Sequence, residues 1–92
     1  MLGMRINELR TALGWSQVEL ARRLDVSKQT ISNWENENIQ PSIDMLVRLS
    51  RIFKVSTDYL LGFENVIRLD IEGLPLNVVA HIQLLINDFL SK

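Results

Sequence analysis

Ser16-Gln17-Val18-Glu19-Leu20-Ala21-Arg22-Arg23-Leu24-Asp25-Val26-Ser27-Lys28-Gln29-Thr30-Ile31-Ser32-Asn33-Trp34-Glu35 is the stretch that decides the fold. It reads as two short helices, each opened by a serine. Ser16 can accept from the N–H of Glu19 while Glu19 reaches back to the N–H of Ser16, a capping box. Trp15 before the cap and Leu20 after it suit a hydrophobic staple. Val18, Ala21 and Leu24 are expected to face inward, with the helix ending near Leu24. Asp25-Val26-Ser27 has room only for a tight turn. Ser27 then caps a second helix, stapled by Val26 and Ile31, that ends near Glu35 or Asn36.

The same grammar continues on both sides. Ile6, Leu9 and Leu13 share one face of an earlier helix, stopped by Gly14. After a polar loop ending at Pro41, Ser42 caps a helix whose inner stripe reads Ile43, Leu46, Leu49 and Phe53. Ser56 caps a short helix over residues 57–61, closed by Gly62. Residues 5–62 are thus expected to be an all-α bundle of five short helices. Beyond it, Ile67, Leu69 and Ile71 alternate with Arg68, Asp70 and Glu72. Period two suits a strand or an extended linker; a lone short strand is marginal, which favours the linker. Gly73 and Pro75 then introduce a last helix, residues 76–90. The expected organisation is a bundle over 1–62, a linker over 63–75 and a C-terminal helix over 76–92.

Ninety-two residues allow one small domain with an appended element rather than two cores. With 47% hydrophobic and 23% charged residues, the composition suits a folded chain. The absence of Cys excludes a disulfide framework and thiolate metal ligands, and fits a cytoplasmic setting. No apolar run approaches the roughly 18–20 residues that span a bilayer, and no signal-peptide pattern opens the chain, so no membrane partner is expected. Ten basic against eleven acidic residues give a net charge of −1. That balance points away from nucleic acid, whose partners usually carry excess Lys and Arg. The charge is unevenly spread, however: residues 1–61 hold eight basic and seven acidic residues (+1), and residues 62–92 hold two and four (−2).

On a helical wheel Ile31 and Trp34 point to one side, as a core-anchoring pair. Gln29, Ser32 and Asn33 lie opposite, with Lys28 and Thr30 on the flanks. Short amides and hydroxyls on one helix face suit readout of base edges in a major groove: Asn and Gln pair with adenine, Lys with guanine acceptors, Ser and Thr with either. A merely solvated face usually carries Glu and Lys instead. The capped helix before it and the short turn complete a helix-turn-helix unit, in which the small Ala21 lets the helices cross closely. Gln17, at the start of the first of the pair, sits where a backbone N–H and an amide can hold a phosphate.

Four fragments in order extend the comparison: Gln17-Val18-Glu19-Leu20-Ala21, then residues 26–35, then Pro41-Ser42, then Val55-Ser56-Thr57-Asp58-Tyr59-Leu60-Leu61-Gly62. Together they resemble the phage-repressor-like (XRE/Cro/CI-type) helix-turn-helix family over residues 5–62. The resemblance implies a five-helix, lambda-repressor-like bundle that binds double-stranded operator DNA, usually as a dimer, through its third helix. It implies base contacts by Lys28, Gln29 and Asn33, assisted by Thr30 or Ser32. It implies phosphate contacts by Gln17, Arg10, Asn36, Asn38 and Gln40. The chain departs from the family pattern in three places. Asp25 stands where Gly is usual, at a turn position that needs positive φ, which Asp tolerates. Asn36-Glu37-Asn38-Ile39 replaces a loop of Gly and basic residues, which lowers the expected non-specific affinity. Lys54 replaces a common Gly at the end of the fourth helix.

Arg10 has two readings: a phosphate ligand, or an ion pair with Glu35 that ties the first helix to the end of the third. Trp34 is read as core and His81 as a solvated residue. No nucleophile–base set, phosphate-cradling glycine loop or close carboxylate pair stands out, so no enzymatic, metal or cofactor role is expected. Val78, Val79, Ile82, Leu85, Ile86, Phe89 and Leu90 fill one arc of the last helix, with Leu84 a misfit on the polar side. So apolar a face requires a partner surface. It either folds back on its own bundle or pairs with a second copy, and pairing is favoured because the bundle looks complete without it. Two functional readings follow: a DNA-binding regulator, expected to repress as a homodimer, or an interaction module whose last helix engages a different regulatory protein.

Overall fold

The computed structural model describes residues 1–68 and 71–91; Leu69, Asp70 and Lys92 of the readings above lie outside the described residues. Its elements are α1 (Leu2–Ala12), α2 (Gln17–Leu24), α3 (Lys28–Glu35), α4 (Ile43–Phe53), α5 (Thr57–Leu61) and α6 (Leu76–Leu90). The protein is all-α, with no strand among the described residues, so the period-two stretch is not a strand where it is described.

Serine begins four of the six helices among the described residues. The hydroxyls of Ser16, Ser27, Ser42 and Ser56 accept from the N–H groups of Glu19, Thr30, Met45 and Tyr59 at 3.0, 3.1, 3.2 and 2.9 Å. Each satisfies a donor that the helix itself leaves unpaired, at about 1 kcal/mol per cap. The reciprocal half of the capping box is absent. The Glu19 carboxylate turns instead to Arg22 and Arg23, at 2.6 and 3.0 Å. Charged donors three and four residues along outbid a neutral backbone N–H.

Ile6, Leu20, Leu24, Ile31, Leu49 and Leu60 are fully buried, and Trp34 and Phe53 close the core around them. Trp15 stacks on Phe53, with ring centroids 6.1 Å apart, and Arg23 covers the Trp15 ring at 4.1 Å. Three positions expected inside are outside. Val18 is 59% exposed because it lies about 200° around α2 from Leu20, and the larger residue takes the core side. Ile43 is 82% exposed because it is the first residue of α4 and its side chain points back beyond the bundle. Leu13 lies past the last turn of α1, where the helical wheel no longer applies, and is exposed.

α1 begins earlier than expected, at Leu2, and this lets Gly3 lie against the end of α3. A Cβ on Gly3 would come within 2.4 Å of the Trp34 carbonyl oxygen and 2.8 Å of that of Glu35. Buried Arg5 binds the far side of the bundle. Its guanidinium donates to the Tyr59 and Glu64 carbonyls at 2.6 and 2.7 Å and to Asn65 Oδ1 at 2.9 Å, and it lies 4.1 Å over the Tyr59 ring. The hydrogen bonding of the bundle therefore reaches Asn65, past the closing turn at Gly62. α6 buries no residue. Its Val79, Ile82 and Ile86 line a groove of about 300 Å³ with Ile67 and Ile71, the odd-numbered apolar positions of the segment before it.

Candidate nucleic-acid interface

The turn between α2 and α3 depends on one backbone choice. Asp25 adopts φ 57° and ψ 47°, so the chain leaves α2 in the left-handed region that Asp tolerates better than most side chains. Its N–H and that of Val26 close back on the Arg22 and Ala21 carbonyls. Ala21 is buried at the helix crossing, as its small size suggests.

On α3, Ile31 and Trp34 anchor the inner side while Lys28 and Gln29 are exposed and Thr30, Ser32 and Asn33 are half-buried. The Gln29 amide donates to Asn33 Oδ1 at 3.1 Å, one turn along. This pre-aligns the two amides along the helix. Thr30 and Ser27 share a hydroxyl contact at 2.8 Å, and Asn36 donates to Ser32 Oγ at 3.2 Å. Lys28 makes no ion pair among the described residues, whereas Arg22 and Arg23 share the single Glu19 carboxylate. The Glu19 carboxyl is held below its ordinary range chiefly by the hydrogen bond from Arg22. The face thus offers, among the described residues, one cation without an ion pair, Lys28, beside uncharged donors and acceptors.

The ion-pair reading of Arg10 is the one the structure bears out. Nε and Nη2 donate to the two carboxylate oxygens of Glu35 at 2.7 and 3.1 Å, and Nη1 donates to the Trp15 carbonyl at 2.7 Å. The two side chains are only 11% and 4% exposed. Arg10 thus serves as a structural tie between α1 and the end of α3, with three of its five N–H groups used in the packed interior. Glu35 also accepts from Asn7 at 2.9 Å and from Gln17 at 3.1 Å. Burial pushes the Glu35 carboxyl up, but the four hydrogen bonds it accepts outweigh that and leave it below the ordinary value. Gln17 is thus oriented by Glu35, with its backbone N–H at the open start of α2. Asn36, Asn38 and Gln40 are exposed on the following loop.

Sequence reasoning missed Asn7, Arg5 and the use made of Glu37. Glu37 Oε1 accepts from the Gly3 N–H at 2.7 Å, and the Met1 amino nitrogen lies 3.1 Å away. Those two contacts, the Met1 amino group first, hold its carboxyl below the usual range. The Gly near the start of α1 was a legible signal that something approaches there.

A capped helix pair crossing over a short turn, with an outer face of amides, hydroxyls and Lys28 on the second helix, defines a helix-turn-helix protein. The Helix-turn-helix family model matches residues 6–60. The HTH-type transcriptional regulator ImmR of Bacillus subtilis is 42% identical over 65 residues, covering 71% of this chain and 51% of ImmR. Repressor protein C2 of Salmonella phage P22 is 36% identical over 61 residues, 66% of this chain and 28% of C2. The crystal structure of SinR in complex with DNA superposes with a TM-score of 0.61 at 37% identity, covering 66% of this chain and 98% of that one. A SinR/SinI complex gives 0.64 at 29% identity, covering 99% of this chain and 80% of that one. The chain belongs to the phage-repressor-like, XRE-type helix-turn-helix family. It spans about half the length of the curated relatives it matches first.

Proposed function

We propose that the protein is a sequence-specific DNA-binding transcriptional regulator, a repressor that occludes a promoter by occupying a palindromic operator as a homodimer. The observation that carries this reading is the outer face of α3. Lys28, Gln29 and Asn33 read bases, Thr30 and Ser32 assist, and Gln17, Asn36, Asn38 and Gln40 hold phosphates. The SinR complex with DNA, at 37% identity, supports the same use of this bundle. Residues 1–62 form the DNA-binding unit, residues 63–75 link it, and residues 76–92 pair through Val78, Val79, Ile82, Leu85, Ile86, Phe89 and Leu90. A two-fold pair presents its two α3 helices about 34–36 Å apart, one turn of duplex.

With a bundle charge of only +1, sequence-independent attraction is weak and selectivity rests on base contacts and on pairing. The test is a gel shift of the duplex upstream of its own gene at two salt concentrations. A shift that weakens with salt, and falls in transcription from that promoter, is expected; no shift sinks the reading. A second reading has one observation behind it: the SinR/SinI complex matches almost the whole chain, α6 included. In that case a different protein occupies α6, and it would co-purify with the full chain but not with a chain ending at Val66.

A further inference from the structure

We infer that Glu37 is a positioning residue for DNA binding: its side-chain bond to α1 holds the loop Asn36–Gln40, and the last turn of α3, in the posture that meets the duplex. This rests on the DNA-binding reading above. The puzzle it answers is electrostatic. A carboxylate in a loop expected to meet phosphates repels them, yet the chain keeps one where a Gly would serve the backbone better.

The backbone at this point is demanding. Glu37 sits at φ 60°, in the left-handed region. Its N–H donates to the Trp34 carbonyl at 3.2 Å and the Asn38 N–H to the Asn33 carbonyl at 2.9 Å. That pair of bonds is a Schellman ending, which calls for a left-handed residue at this position and usually finds Gly. A side chain here therefore costs conformational strain. What it supplies is the bond from the Gly3 N–H to Oε1 at 2.7 Å, which satisfies a donor in the first turn of α1 with an anion. Gly3 itself has no room for a Cβ, since one would also stand 2.8 Å from Glu37 Oε1. The bare backbone of α1, the end of α3 and the Glu37 carboxylate thus close on one another. Asn33, a base-reading candidate, carries the carbonyl on which the same turn folds. Freeing Glu37 would therefore loosen both the loop and the end of the reading helix.

Substitutions of equal charge separate this role from electrostatics, because removing the carboxylate alone tightens binding to every duplex. E37Q keeps an acceptor oxygen at the same reach. E37N has the same amide one methylene shorter and tolerates the left-handed backbone; E37G relieves it, so both fold, as thermal melts will check. On the duplex upstream of its own gene, E37Q is expected to bind at least as tightly as the parent. E37N and E37G are expected to bind it about fivefold more weakly than E37Q, with affinities for an unrelated duplex within about twofold of one another. Amide exchange at Gly3 is expected to quicken about tenfold in E37N and E37G but not in E37Q. Equal operator binding by all three variants, or unchanged exchange at Gly3, overturns the role. A parent that shifts neither duplex removes the DNA-binding reading and the role with it, whereas a parent that binds beside indifferent variants removes the role alone.

Discussion

The bundle α1–α5 and the helix α6 are built from the same apolar residue types at the same helical spacing, yet only one of them has an interior. Leu20, Leu24, Ile31 and Leu49 are fully buried in the bundle, while Leu85 and Phe89 on α6 are 69% and 78% exposed. The starts differ too. α2–α5 each open on a serine that caps, and α6 opens on Pro75 with no side-chain cap. Periodicity says which face of a helix seeks cover; it does not say whether cover lies within the chain. Within the chain the α6 face finds no such cover: the helix buries none of its residues.

That contrast can be broken most sharply by matched deletions. Leu24→Ala is expected to destabilise the bundle by about 2–5 kcal/mol in urea melts, through lost burial and the cavity left behind. Phe89→Ala should change the same melt by under about 0.5 kcal/mol at low protein concentration, while lowering the sedimenting mass if α6 pairs. Equal effects would show that α6 packs on the bundle after all.

Next in size is the buried pair. Glu35→Ala strands the Arg10 guanidinium and should cost about 3 kcal/mol or more. Because the folded Glu35 carboxyl titrates below its unfolded value, its stabilisation is present above the ordinary carboxylate range and is lost as pH falls through the folded value. Melts from neutral pH down to acid should therefore show a decline in the parent that is blunted in Glu35→Ala. If the two fall in parallel, other carboxylates dominate the acid limb.

Binding changes come next. Gln29→Ala should cost about 1–3 kcal/mol on the operator and relax selectivity at one base pair. Equal losses on operator and random duplex would remove its readout role. A chain ending at Val66, which retains both Glu64 and Asn65 for Arg5, should keep the melt of the full chain, sediment as a monomer and bind the operator far more weakly. If the shortened chain still sediments as a dimer, the interface lies elsewhere. Smallest of all, Ser27→Ala removes the cap of α3 and should cost about 1 kcal/mol in melts.

Much of this molecule was legible along the chain because its signals are local. The serine caps act three residues ahead, so Ser16, Ser27, Ser42 and Ser56 announce their helices without knowledge of the fold. Ile31 and Trp34 as the anchors that turn Gln29, Ser32 and Asn33 outward follow from helical period alone; Asp25 as a left-handed turn residue follows from the family resemblance, with sterics adding only that Asp tolerates the position. The Arg10–Glu35 pair could be proposed from two flank positions, but only the packing of α1 against α3 chose it over a phosphate contact, because it removes both groups from water. Tertiary structure alone sent Val18 and Ile43 outward, since each competed with better-placed side chains or lay beyond the core's edge. It alone joined Arg5 to Asn65 and Glu37 to Gly3, contacts that span more than thirty residues and have no period to betray them. Local bonding writes itself into sequence spacing; a long-range contact exists only once the helices have found their places.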